Sequence, residues 1–147
     1  MRRLTPRQLL DRFSRPTIAR ACLLLGDEWS GCDRVAWLYP DFVLAEPWNP
    51  GRMAEAERRL AAGEKAPPIR VVGFRLNSRW RFYEPSDGIH RSVAARRAGR
   101  RVKARIEGFY QVLPGRFRLD GDRLFRSDRL VSPVSAEEQT ALRALGV

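Results

Sequence analysis

The chain is poor in the residues that most site chemistry draws on. Its 147 residues include one histidine, His90, and two cysteines, Cys22 and Cys32. Lys65 and Lys103 are the only lysines among 28 basic residues. So few sulfur and imidazole ligands argue against a structural zinc site. A Gly-containing stretch separates the cysteines; a disulfide is geometrically open, but a reduced pair fits a cytosolic chain better. No apolar run is long enough to cross a membrane. The segment Met1-Arg2-Arg3-Leu4-Thr5-Pro6-Arg7-Gln8 is basic and has no apolar signal-peptide core, so the expected location is the cytoplasm. There is no internal repeat and no low-complexity linker.

What is abundant is arginine. The formal net charge is +11 and 44% of residues are hydrophobic, which suits one compact domain of residues 1–147. The planar guanidinium pairs bidentately with phosphate. An excess of this size points to a polyanionic partner: nucleic acid, nucleotide or an acidic protein surface. An arginine-rich, high-GC genome is the plain alternative. The excess is uneven, since seven bases between Arg91 and Arg105 meet no acid.

Local signals outline an α+β scaffold. Thr5-Pro6-x-Gln8 is a capping box that opens a helix, and Pro16 should stop it. A second helix is expected over 17–25, ending at Gly26, with a loop over 26–31. Residues 33–44 read as two strands around Pro40-Asp41. Asn49-Pro50 opens a third helix, with Met53, Ala56 and Leu60 on one face, and Gly63 closes it. Strands are expected over 69–74, 80–84 and 102–106. A helix from the Asp87–Arg91 turn to Gly99 lies between the last two. Phe117–Leu119, Asp120-Gly121 and Arg123–Phe125 read as a hairpin, and Ser135-x-x-Glu138 caps a last short helix. Trp29, Trp37, Trp48 and Trp80 are expected in the core, with an interaction patch as the alternative.

The order of Pro67-Pro68-Ile69, a second strand, Asp87-Gly88-Ile89-His90-Arg91 and an Ala94-Ala95-Arg96-Arg97-Ala98-Gly99 helix resembles the ParB/sulfiredoxin superfamily over roughly Val43 to Gly108. The resemblance implies a mixed sheet flanked by helices, with residues 1–42 and 109–147 as additions to the core. It also implies a nucleotide-phosphate site at Gly88, Ile89, His90, Arg91 and Ser92. Sulfiredoxins carry their catalytic cysteine where this chain has Ile89. Isoleucine cannot supply the thiolate, so sulfiredoxin activity is not expected. Size, charge and the 87–99 motif further resemble plasmid fertility-inhibition proteins of the Osa type. That likeness implies ATPase or DNase activity, inhibition of conjugation or type IV secretion, and a secretion-system coupling protein as partner.

Two functions follow from these residues. The first is phosphoryl-transfer hydrolysis of ATP, another nucleotide or DNA. Gly88 admits a phosphate close to the backbone, and His90 and Arg91 bind and polarise it. Asp87 holds Mg²⁺ or orients His90, with a turn or N-cap role as its plain alternative. The resemblance suggests Glu46 as general base, and Glu84 is the second choice. The second function is a non-catalytic DNA- or protein-binding module that retains the phosphate loop. In both, Arg96, Arg97, Arg100 and Arg101 are the nucleic-acid contacts, or simply a solvated helix face.

Overall fold

Capping chemistry sets the helix starts. A computed structural model describes residues 3–147. In α1 (Pro6–Arg12) the Gln8 N–H donates to Thr5 Oγ1 at 3.2 Å, and the Thr5 N–H donates back to Gln8 Oε1 at 2.9 Å. In α3 (Pro50–Ala61) Asn49 Oδ1 accepts from the Arg52 N–H at 3.0 Å. The remaining elements are α2 (Arg15–Leu25), β1 (Gly26–Leu38), β2 (Ile69–Arg75), β3 (Arg81–Asp87), α4 (Ile89–Arg97), β4 (Val102–Val112), β5 (Arg118–Asp120), β6 (Arg123–Arg126), β7 (Arg129–Pro133) and α5 (Ala136–Leu145). Among the described residues the fold is α+β: five helices, a four-stranded mixed sheet and a three-stranded antiparallel sheet.

The chain divides into two compact units, each discontinuous in sequence. One holds 29–73 and 82–109. It contains α3, α4 and most of the four-stranded sheet, whose order is β1-β4-β2-β3. Alternate sheet residues Ile69, Val71, Ala104 and Ile106 turn to one side and are at most 1% exposed. They form a core with Val93, Met53 and Phe109, and α3 packs on α4. Such burial is the main favourable term in folding.

The other unit holds the described residues up to Glu28 with 74–81 and 110–147. Its core includes Ile18, Cys22, Leu25, Leu124 and Leu142, all fully or nearly fully buried, and α2 packs on α5. The antiparallel β5-β6-β7 sheet belongs to it. At its surface Arg116 reaches Asp27 at 3.1 Å and Glu28 at 2.7 Å, and Arg126 reaches Asp27 at 2.6 Å.

Several expectations change. Gly26–Gly31 is not a loop: α2 runs straight into β1, and Gly26 is extended at φ −70°. Pairing with β4 overrides the turn-like composition. Glu28 and Asp33 take positive φ inside β1, which interrupts its alternation. Residues 33–44 form one strand end and a 3₁₀ turn over Pro40–Phe42, because Pro40 cannot donate to a ladder. Pro16 lies in the first turn of α2, which Ser14 caps, and α1 has already ended at Phe13. The C-terminal hairpin gains β7, and its first turn is Gly121-Asp122 rather than Asp120-Gly121. Cys22 is buried, Cys32 is exposed, and no disulfide joins them. Among the described residues no helix is long and apolar enough to cross a membrane.

Candidate functional site

The start of α4 is built around Gly88. Its φ is +91°, a left-handed conformation that side chains disfavour. A Cβ there would lie 2.3 Å from Ile69 Cγ2, so the helix start packs directly on β2. The backbone N–H groups of Ile89, His90 and Arg91 form the open first turn, where the helix dipole is positive.

The side chains of this turn are largely spent on the fold. His90 is 8% exposed. Its Nε2 accepts from the backbone N–H of Asn49 at 3.2 Å and of Trp48 at 3.4 Å. In both contacts that ring nitrogen serves as the acceptor. The Trp48 ring lies 5.4 Å from the imidazole, tilted by 58°. His90 thus pins the entry to α3 onto α4. Ser92 is fully buried, and its Oγ donates to the Gly88 carbonyl at 2.9 Å. Arg91 donates to the Pro67 carbonyl and reaches Asp87 Oδ2 at 3.5 Å. Ile89 packs against the core.

The carboxylates do not converge on this turn. Asp87 is exposed at the end of β3 and faces the Arg91 guanidinium. Glu46 stands 3.9 Å from Arg96. Among the described residues no three His, Cys, Asp or Glu side chains gather to hold a metal ion. Glu84 is half-buried on β3, and burial pushes its carboxyl above the ordinary value.

The four arginines expected to contact nucleic acid separate into two pairs. Arg96 turns inward, 17% exposed, and donates to the Ala45 carbonyl at 2.9 Å. It is not part of a solvated helix face. Arg97 pairs with Glu57 at 2.7 Å. This pair closes one side of a groove of about 420 Å³ also lined by Trp48, Pro50 and Met53. Arg100 and Arg101 stand exposed where α4 gives way to β4. Arg101 covers the Tyr39 ring at 4.3 Å. Arg34 and Lys103, on the neighbouring strands β1 and β4, are exposed as well. Arg34, Arg100 and Lys103 have no acidic partner among the described residues.

The tryptophans are the main surprise. Trp29, Trp37 and Trp48 are 47%, 61% and 59% exposed, and Tyr39 is 57% exposed. The expectation of a core role fails for these three; only Trp80 is half-buried. On β1, Val35 and Trp37 alternate with Ala36 and Leu38, so both faces are apolar and the pattern does not choose the buried one. The one early sign for Trp48 was its setting between Pro47 and Asn49-Pro50, which stiffens the backbone. Compared with known protein families, curated proteins and solved structures, the chain matches none.

Proposed function

We propose that this chain is a cytoplasmic nucleic-acid-binding module with a ParB/sulfiredoxin-like core and no phosphoryl-transfer chemistry at the start of α4. The element order α3, β2, β3, α4, β4 supports the core assignment. One observation carries the functional reading. The His90, Arg91 and Ser92 side chains are engaged in hydrogen bonds within the fold, whereas Arg34, Arg100 and Lys103 are exposed and unmatched by acids. Unmatched cations on a chain of net charge +11 attract phosphates and release their counterions.

The open first-turn N–H groups at Gly88–Arg91 favour a second reading, a nucleotide phosphate seated there as a bound group. Association with a plasmid-transfer or secretion component belongs to the same alternative and rests on the likeness in layout. One set of measurements separates the module from a hydrolase. DNA binding by wild type and Arg100→Ala is followed by fluorescence anisotropy, and ATP hydrolysis is followed with Mg²⁺ present. The module reading expects binding without turnover, weakened in Arg100→Ala. Turnover that His90→Ala or Glu46→Ala abolishes, with the fold retained, would instead establish the hydrolase.

A further inference from the structure

We propose that the outer face of the four-stranded sheet, along β1 and β4, stacks unpaired bases of single-stranded nucleic acid on Trp37 and Tyr39. The proposal rests on the nucleic-acid reading and names its substrate class.

Side chains alternate along an extended chain, so Val35, Trp37 and Tyr39 share one side. Ala36 and Leu38, on the other side, pack into the core. The outward residues are therefore not held by packing: Val35 is 39% exposed, Trp37 61% and Tyr39 57%. Strand β1 is also an edge strand. A row of exposed aromatic and apolar residues on an edge is a liability unless a partner covers it.

The surrounding charge identifies that partner. Arg105 of β4 reaches Asp33 at 2.9 Å, and Arg101 covers Tyr39. Lys103 lies between these two arginines in sequence, on the outward side of β4, and is exposed. Cations beside flat rings suit a polyanion that also offers π-faces. A duplex stacks its base faces inside and presents mainly phosphates to such a surface. An unpaired strand presents both groups, and bases stacked on aromatic side chains are the common means of binding it.

The test uses the full chain with a labelled oligothymidine and a mixed-sequence duplex of equal length. Trp37→Ala, Trp37→Phe and wild type are compared by fluorescence anisotropy, and circular dichroism checks the fold. Wild type is expected to prefer the single strand. Trp37→Ala should weaken that binding by about 5- to 150-fold, the loss of one stacked base. It should leave duplex binding unchanged, and Trp37→Phe should restore most of the single-strand affinity. If both nucleic acids bind and Trp37→Ala changes neither or weakens both alike, the stacking face is overturned while the nucleic-acid reading stands. If neither binds even at low salt, both fail. If Trp37→Ala instead converts an oligomer to a monomer in size-exclusion chromatography, the face mates two copies of this chain and the proposal is overturned.

Discussion

Replacing His90 by alanine removes the acceptor from two backbone N–H groups, those of Trp48 and Asn49. The expected cost is about 1–3 kcal/mol, seen as a lower urea midpoint with an unchanged m-value. A catalytic histidine would lower turnover without that loss of stability. Gly88→Ala combines an unfavourable φ with a side chain driven into Ile69, and about 3 kcal/mol of destabilisation is expected from denaturant unfolding. Glu84 has the opposite character. Burial raises its folded pKa, so its favourable contribution is present below the unfolded pKa and is lost as pH rises through the raised value. Glu84→Gln should therefore stabilise the chain above the carboxylate range, with the gain fading in acid when denaturant unfolding is followed across pH. At this scale the sequence picked out Gly88 and His90. It did not tell which atoms they touch, because Ile69, Trp48 and Asn49 are distant along the chain.

The elements that carry their own caps were legible. The boxes of α1 and α5 and the Asn49 cap of α3 depend on residues three apart, and all form as read. Helix α5 offers a quantitative check. The Ser135 N–H donates to Glu138 at 3.0 Å, and the Glu138 N–H donates to Ser135 Oγ at 3.1 Å. The Ser135 N–H, then the Ser135 hydroxyl and Arg20, hold the Glu138 carboxyl below its ordinary value. A lowered pKa contributes stability above the unfolded pKa that is lost as pH falls through the folded one. Glu138→Ala should thus cost about 1 kcal/mol at neutral pH, with the difference from wild type closing in acid. Chemical denaturation across pH measures it. The first half of β1 and the whole of β7 were not legible. Strand β1 begins with turn-like residues that only its sheet neighbour makes extended. Strand β7 follows a Ser127 turn at φ +54°, with no glycine to announce it.

At the scale of the whole molecule, the 28 basic and 17 acidic residues govern association more than folding. Nucleic-acid affinity should fall steeply with salt, and log–log plots should be linear. Arg100→Ala should reduce the slope by about 1, as expected for one lost phosphate contact. A flat salt response would assign the excess to something other than phosphates. Composition already determined this charge, and short-range periodicity and caps determined most helices and the order of the central elements, because those terms act between near neighbours in sequence. Only the tertiary structure decided which arginines remain available, which face of β1 stays open and where His90 is spent. Arg96 finds the Ala45 carbonyl, and the His90 ring finds the entry to α3. These are contacts between residues some forty or fifty positions apart, and they exist only once the chain has packed.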